Sequence, residues 1–378
     1  MLRSLLASTA ALALVAFPAN ALAQFAQEGT TTMTTVHEFT DVRPGNPAVA
    51  PDGTIYVTIS GFSSPDVNLY RLTDAGQLEA FPDKTWAGKA KGQTMVGIAS
   101  TIGLRVQSDG TVWLLDMGSK TVAPPQPPKL VAWNPDGSLK QVIVFPAPVL
   151  RHSSFLQDFV IDEANNQIVV ADMTFDAARG VSDYPAFIAV DLMTGLPRRL
   201  LERHETLMPS GKPVVVPDGS AADGTVAHAG PDGAPVVHQY GLNPIAIAGD
   251  YIYFGTMSGT DVHRIPAEAL ADPSLTRADL ASKIERYGPK PKTDGIAVSE
   301  DGTVYVTDVE NFAVGACDRE TCRTLVRDEE RIAWPDGLAL EPNGDLLLTA
   351  NELHNLPGLN VGQDASTPPF YLHRITPK

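Results

Sequence analysis

Residues with polar side chains recur at one point of a repeated pattern and carry most of the chemistry that this chain offers. Carboxylates and amides that converge at one place suit a hard cation, a polyol or a cationic amine. An Asp before a strand also caps loop backbone amides, and this structural role is the alternative at any single position. The six positions, five of them polar, are Asn46, Gly103, Asp158, Asn243, Asp294 and Asp336.

Two histidines near these positions add the capacity to move a proton at neutral pH. His152 comes shortly before Asp158, and His354 follows Asp336 in the last repeat. The unperturbed pKa of imidazole makes each a candidate acid or base, with an ordinary loop histidine as the alternative. We therefore expect Asp294, Asp336 and Asp158 to position or polarise a substrate, and His354 or His152 to exchange its proton.

The elements that must position these side chains are copies of one hairpin. In KTDGIAVSEDGTVYVTDVEN, residues 292–311, apolar residues alternate on both sides of Asp301-Gly302, a pair that favours a tight turn. Third and fourth short strands follow most copies. Four antiparallel strands repeated at this length predict an all-β fold, a six-bladed β-propeller. The six copies span residues 46–60, 103–118, 158–173, 243–259, 294–310 and 336–351.

The two ends of the sequence predict how the ring closes. Tyr371–Ile375 matches a third strand and has no fourth strand after it, whereas Thr34–Phe39 is a strand without a blade of its own. An N-terminal strand that completes the last blade protects both edges. We expect a single propeller domain over residues 24–378, with residues 204–240 and 351–370 as insertions that wall a pocket on the face of the candidate residues.

Residues 1–23 have the pattern of a cleaved export signal. Arg3 precedes the apolar run Leu5–Phe17, and Ala21-Leu22-Ala23 forms a small-x-small cleavage site. A membrane anchor is the alternative, but the run is short for a span. We therefore expect a periplasmic or secreted protein without a membrane partner.

Charge and cysteine content narrow the partners further. The net charge of −16 argues against nucleic acid and against an anionic membrane, since both require clustered basic residues. Cys317 and Cys322 are the two cysteines and face each other across a short predicted hairpin. In an oxidising compartment they can form a disulfide; free thiols or part of a metal site are the alternatives.

Four longer stretches together resemble the yellow / major royal jelly protein family, in its bacterial, dopachrome tautomerase-related form. The resemblance runs from about Val36 to Arg374, and FGTMSGTDVHRIP is its most distinctive phrase. It implies a secreted six-bladed propeller, and relatives that convert dopachrome or bind small amines and lipids. The stretches are LQDFVIDEANNQIVVAD, YGLNPIAIAGDYIYFGTMSGTDVHRIP, KPKTDGIAVSEDGTVYVTDVEN and WPDGLALEPNGDLLLTANELHN.

A more distant resemblance is to the gluconolactonase / senescence-marker propellers. It implies a divalent cation such as calcium, held by a Glu in blade one, an Asn in blade four and an Asp in blade five. The matching residues here are Asn46, Asn243 and Asp294. Asn46 departs from the pattern because an amide replaces a carboxylate, and Asp158 or Asp336 would have to supply the missing charge.

These observations lead to three hypotheses of function. The first is an exported enzyme that acts on a small cyclic polar molecule at the channel mouth, as a dopachrome-type tautomerase or a lactonase-like hydrolase. The second is a non-catalytic binder of small aromatic amines, whose ammonium group pairs with the same carboxylates. The third is an interaction scaffold that uses its loops.

Overall fold

The structure of the protein is a computed structural model in which the chain forms six four-stranded antiparallel sheets. The predicted leader, residues 1–23, lies outside the described residues. Within those residues, no helix has the length and apolar character needed to cross a membrane. The structure describes residues 31–63, 65–90, 95–119, 126–176, 180–210, 212–214, 227–229, 235–237, 239–357, 359–360 and 364–377.

The first three blades follow one another along the chain, each with its inner strand first. Blade one comprises Pro44–Val49, Ile55–Ile59, Leu69–Leu72 and Leu78–Ala80. Blade two comprises Thr101–Val106, Val112–Asp116, Lys129–Trp133 and Leu139–Val144. Blade three comprises Leu156–Asp162, Gln167–Asp172, Ala186–Asp191 and Pro197–Leu200. Short 3-10 turns at Gly61–Ser63 and Ala147–Val149 lie between strands of this half.

The last three blades contain the only two α-helices in the described part of the chain. Blade four comprises Leu242–Ala248, Tyr251–Thr256, Asp261–Pro266 and Glu285–Pro289, with helices Ala267–Ala271 and Arg277–Ala281 before its outer strand. Blade five comprises Ile296–Val298, Val304–Asp308, Ala313–Cys317 and Cys322–Arg327. Blade six comprises Pro335–Leu340, Leu346–Ala350, Phe370–Thr376 and Thr32–Phe39. The hairpin Ala227–Ala229 and Pro235–Val237 lies in the first insertion, and the 3-10 turn Leu353–Asn355 lies in the second.

Ring closure takes place as the sequence predicts. Thr32–Phe39 pairs antiparallel with Phe370–Thr376 and becomes the outer strand of blade six. The inner strands contact one another in cyclic order, and the inner strand of blade six lies against that of blade one. The six-bladed propeller predicted from the repeats is therefore confirmed.

The apolar core lies between the blades. Alternating strand residues form a buried cluster between each pair of neighbouring blades, including blades six and one. A further cluster, which contains Tyr240, Phe312 and Trp334, covers the face on which the insertions emerge. Since each blade buries its apolar faces only against its neighbours, the ring must close to complete the core.

The two cysteines form the disulfide left open by the sequence. Cys317 and Cys322 pair across the outer hairpin of blade five, with Cα atoms 4.0 Å apart. A disulfide of this kind is typical of proteins that mature outside the reducing cytosol.

Candidate functional site

The strand register decides which residue of each blade faces the channel mouth. In five blades a β-bulge near the start of the inner strand adds one extra residue relative to the second strand, and blade five begins its ladder at Ile296, two residues after Asp294. Bulges of this kind redirect side chains at the ends of strands. Matched through the register, the equivalent residues of blades one to six are Gly45, Ile102, Gln157, Asn243, Asp294 and Asp336.

In blades four to six the residue predicted for the mouth is therefore the one that the register gives. In blades one to three the predicted residue is the next one along the inner strand. Asn46, Gly103 and Asp158 are the next residues along their inner strands. Asn46 and Asn243 are both followed by Pro, but they occupy different positions in the pairing of the first and second strands of their blades. A shift of one residue turns a strand side chain to another direction, which is why the error matters for the site.

A cavity of about 540 Å³ lies over the mouth residues. Its floor holds Ile102, Gln157, Asn243, Asp294 and Asp336. Both insertions contribute to its wall, as expected, and most of the wall is apolar. The wall includes Phe62, Phe155, Phe175, Tyr240, Trp334 and Leu353.

Asp294 is held in this floor by two neutral donors. Asn243 Nδ2 donates to Asp294 Oδ1 at 2.9 Å, and Trp334 Nε1 donates to Asp294 Oδ2 at 2.8 Å. Burial raises the pKa of Asp294 to about 6, against the two hydrogen bonds, which favour the ionised form. The carboxyl of Asp294 therefore changes its charge close to neutral pH.

Asp336 is the second acid of the floor. Asn351 Nδ2 donates to Asp336 Oδ2 at 2.5 Å. Burial, and then the negative charge of Asp294, raise the pKa of Asp336 well above its usual range. Among the described residues, no Lys, Arg or His comes within ion-pair distance of Asp294 or Asp336. The two carboxyls thus form a buried acidic pair in which both pKa values are raised, Asp294 by burial and Asp336 by burial and the charge of Asp294.

Tyr240 and Trp334 complete the polar surroundings of Asp294. Burial and the charge of Asp294 raise the pKa of the Tyr240 phenol well above 10, so it keeps its proton. Trp334 has a left-handed backbone, with φ of 51°, and its indole N–H reaches Asp294. A bulky residue in this conformation is uncommon and costs free energy, which is typical of functional sites.

Asp158 lies outside the lining of the cavity and has a cationic partner. Arg105 Nη2 contacts Asp158 Oδ2 at 2.5 Å, and the Asn46 side chain also hydrogen-bonds to Asp158. Burial raises the pKa of Asp158, while the charge of Arg105 opposes the shift. Arg105 also lines a second cavity of about 240 Å³ formed further along the inner strands. Asp158 is therefore brought near Asp294 and Asp336 but not into the same pocket.

The predicted metal ligands do not assemble as a set. Asn243 and Asp294 are in contact, but the Asn243 amide donates its N–H to that carboxylate. Asn46 is bonded to Asp158, and the mouth residue of blade one is Gly45, which has no side chain. A hard cation takes six or more oxygen ligands. The triad of Asn46, Asn243 and Asp294 therefore stays a prediction, and in this structure Asn46 is bonded to Asp158 rather than to the other two residues.

Neither candidate histidine lines the cavity. His354 is buried behind the wall, where its ring stacks on Trp334 with ring centres 5.7 Å apart and contacts Phe312 at 5.3 Å. The His152 side chain is 73% exposed and lies 3.9 Å from Asp183. The structure thus places His354 where it supports Trp334, and His152 at a separate point on the surface.

The acids at the ends of the second strands are engaged in loop structure. Asp116 accepts three backbone N–H groups and is paired with the fully buried Lys129 at 2.6 Å. Asp172 accepts the backbone N–H groups of two loop residues and pairs with Arg199 at 2.7 Å. Asp116 and Asp172 therefore have the structural role of capping loop backbone amides, and in this they differ from Asp294 and Asp336 at the channel mouth.

Comparison with known families bears on the half of the ring that holds the acidic pair. Residues 213–366 match the major royal jelly protein family. This span covers less than half of the chain and contains Asn243, Asp294 and Asp336. The resemblance to the royal jelly family is confirmed over that span. No curated protein matches the sequence significantly.

Solved structures show the same architecture at low identity. A gluconolactonase from Xanthomonas campestris is 10% identical, with 93% of this chain and 91% of that chain covered and a TM-score of 0.54. A luciferin-regenerating enzyme is 11% identical, with coverage of 92% and 95% and a TM-score of 0.55. Regucalcin from Agrobacterium tumefaciens, described as a calcium-binding protein, is 14% identical, with coverage of 90% and 92% and a TM-score of 0.50. At these identities the likeness to the lactonase-type propellers shows the fold.

The sequence analysis did not identify the aromatic residues that form the wall of the cavity. Trp334 directly precedes Pro335-Asp336 in the sequence. Tyr240 ends the first insertion, and Gln157 stands next to the candidate Asp158. Adjacency to a candidate acid was the available signal, but only the register shows which neighbour faces the cavity.

Proposed function

We propose that this protein is an acid–base enzyme of the tautomerase type for a small cyclic molecule, with Asp294 and Asp336 as its catalytic pair. The observation that carries the proposal is a buried pair of carboxyls with neutral partners at the floor of a mainly apolar cavity. The royal jelly family match supports the choice of substrate class, together with the dopachrome conversion that the resemblance to this family implies.

The pair can catalyse an isomerisation by moving two protons. Asp294, ionised at neutral pH because its pKa is about 6, removes a proton from a ring carbon of the substrate. Asp336, whose raised pKa favours the protonated form, donates its proton to the oxygen on which negative charge develops. One C–H bond breaks and one O–H bond forms, so the substrate keeps its composition. Transfer of the proton from Asp294 to Asp336 restores the starting state.

The remaining side chains of the cavity bind and orient the ring. Phe155, Phe175 and Tyr240 provide flat apolar contacts, and the Phe175 and Tyr240 ring centres are 5.8 Å apart. Trp334 and Asn243 keep the Asp294 carboxylate in place by donating to its two oxygens. Exclusion of water by the apolar wall keeps the pKa of both acids raised.

Turnover of dopachrome, followed by the loss of its visible absorbance, tests the proposal. We expect Asp294→Asn and Asp336→Asn each to lower kcat about 100-fold or more, the usual range for loss of an acid or base. The wild-type rate should rise with pH through about 6, as Asp294 loses its proton. A chelator should leave the rate unchanged.

Asp301→Asn is the matched control, since it changes an exposed Asp in the turn of the same blade as Asp294. Its rate should remain within about twofold of wild type, as for surface changes away from a site. Retention of full activity by Asp294→Asn and Asp336→Asn would refute the catalytic pair. Chelator-sensitive turnover of lactones, without turnover of dopachrome, would favour the lactonase-like alternative.

Binding of an aromatic amine without turnover is the second candidate function. Two carboxyls without a cationic partner in the described structure, below an aromatic wall, also suit an ammonium group on an aromatic ring. Calorimetry with dopamine and tryptamine distinguishes the two functions. Tight binding that Asp294→Asn abolishes, together with no turnover of any ring substrate, would favour the binder.

We also propose that the protein is exported to the periplasm or secreted. The leader pattern in residues 1–23 and the Cys317–Cys322 disulfide support this proposal. N-terminal sequencing of the protein from the periplasm and from the medium tests it, and we expect the mature chain to begin at Gln24. An uncleaved chain in the cytoplasm would refute it.

A further inference from the structure

A histidine and two aspartates converge away from the channel mouth. Ligand atoms of His152, Asp176 and Asp183 all lie within 4.8 Å of one another. His152 Nε2 and Asp183 Oδ2 are 3.9 Å apart, and the Asp183 side chain is 6% exposed. None of the three lines the cavity that holds Asp294 and Asp336.

Two chain segments are fastened together to form this cluster. Ser153 Oγ donates to Asp183 Oδ1 at 2.6 Å and orients the buried carboxylate, which leaves its Oδ2 towards His152. Phe175, which directly precedes Asp176, donates its backbone N–H to the carbonyl of Ser153 at 2.7 Å. Asp176 N–H donates to the carbonyl of Val181 at 3.0 Å. The cluster therefore depends on tertiary contacts between residues far apart in sequence.

The chemistry of the three side chains suits a divalent transition-metal ion. Two carboxylates and one imidazole neutralise a 2+ ion, and imidazole favours zinc and its first-row neighbours over calcium. Zinc binds nitrogen and carboxylate oxygen at about 2.0–2.2 Å, so the three ligand atoms must close by roughly 1 Å. The His152 side chain is 73% exposed and Asp176 is half-buried, so neither is enclosed by the core.

We propose that His152, Asp176 and Asp183 form a zinc-type metal site at the rim of the propeller face. Three protein ligands leave a fourth position for water or another small ligand. An ion there would join the segment of His152 to the segment of Asp176, whose neighbour Phe175 lines the cavity. Metal binding would thus hold one wall of the cavity in place. The site is independent of the acid–base pair.

Calorimetry with the metal alone tests the site. The full mature chain, without an affinity tag and stripped with EDTA, is titrated with Zn²⁺ and, in separate runs, with Mn²⁺ and Ca²⁺. We expect one Zn²⁺ per chain and the weakest binding for Ca²⁺. His152→Ala and Asp183→Asn should each weaken Zn²⁺ binding at least tenfold, a usual cost of losing one ligand or its orientation. Zn²⁺ should raise the Tm of wild type but not of His152→Ala.

His37→Ala is the matched control, because His37 lies on the outer strand of blade six and contacts the Gly76 carbonyl. It should bind Zn²⁺ as wild type does, and so should Asp294→Asn. The site is refuted if wild type does not bind Zn²⁺, or if His152→Ala and Asp183→Asn bind it with unchanged affinity. Circular dichroism of each variant confirms that the weaker binding does not come from misfolding. Because Asp294 takes no part in the proposed zinc site, the result of the Zn²⁺ titration does not depend on whether Asp294 is catalytic.

Discussion

At the scale of single residues, the site is defined by how each buried acid is neutralised. Asp116 has Lys129 and three backbone donors, and it serves the structure of a loop. Asp294 and Asp336 have only neutral donors within hydrogen-bond distance among the described residues. Burial of an acid without a cation raises its pKa, so the same residue type is a candidate proton carrier in one place and a structural anchor in another.

The acidic pair should lower stability as the pH rises. The pKa of Asp294 is about 6 in the folded state against 3.8 for the ordinary group, and Asp336 is shifted in the same direction. From about pH 4 to pH 6, and also above pH 6, the folded state therefore binds more protons than the unfolded state. The free energy of unfolding must fall through this window, by about 3 kcal/mol for Asp294.

Asp336→Asn should consequently stabilise the protein at pH 8, because it removes a buried carboxyl whose ionisation the site disfavours and can keep the hydrogen bond from Asn351. We expect its Tm to exceed that of wild type by about 2–6 °C at pH 8 and to approach it below pH 4. Thermal melts across this range measure the difference, with Asp301→Asn as an exposed control. A stability difference that does not vary with pH would contradict the raised pKa.

At the scale of elements, the second insertion is fastened at its base by Glu352. Its carboxylate accepts from the Thr367 N–H and hydroxyl at 2.9 Å each, and from Asn355 Nδ2 at 3.1 Å. These contacts join the start of the insertion to its end. Leu353 lines the cavity directly beside Glu352. The wall of the pocket is therefore held by polar contacts that do not touch a bound ligand.

Glu352→Ala should loosen this wall without removing either acid of the proposed catalytic pair. Hydrogen bonds to a charged group contribute about 1.5–3 kcal/mol, so we expect KM or the Kd of a bound amine to rise about tenfold or more. The effect on kcat should be smaller. Limited proteolysis should cut the insertion faster, and Glu352→Gln, which keeps an acceptor oxygen, should show a partial effect.

Glu300→Ala, an exposed change in the turn of blade five, is the control for that experiment and should match wild type. Equal proteolysis of Glu352→Ala and Glu300→Ala would show that Glu352 does not hold the insertion. A loss confined to kcat, with KM unchanged, would instead indicate a direct role in the reaction.

At the scale of the whole molecule, stability depends on the closure of the ring. Thr32–Phe39 is the only part of blade six that comes from the N-terminal side of the chain. Phe39 is 2% exposed and pairs with Phe370 in the register of this sheet. The contact joins the two ends of the chain and keeps both edges of the ring covered.

Phe39→Ala should destabilise the protein by about 3–5 kcal/mol, the usual cost of truncating a buried aromatic residue. Denaturant unfolding measures the change. Glu38→Ala, at the neighbouring exposed position of the same strand, should cost less than about 0.5 kcal/mol. If the two variants unfold alike, the N-terminal strand does not close the ring in solution.

Much of the fold could be predicted because repetition and alternation are local properties of the sequence. Turn pairs such as Asp301-Gly302 mark the hairpins, and the unpaired strand Thr34–Phe39 indicates closure. The outer strand of blade four, Glu285–Pro289, was not predicted, because two short helices separate it from the third strand. Its apolar residues have no pattern that distinguishes it from the connecting segment.

The sequence by itself determined the propeller, the face that carries the site and the importance of Asp294 and Asp336 as candidates. Only the tertiary structure decided which acids share a pocket. Bulges in the inner strands set the register, and they put Gln157 rather than Asp158 in the cavity. Arg105 neutralises Asp158 across a blade boundary, and His354 stacks behind Trp334. Such contacts join residues far apart in the chain, so their effect on charge and exposure follows from packing rather than from local pattern.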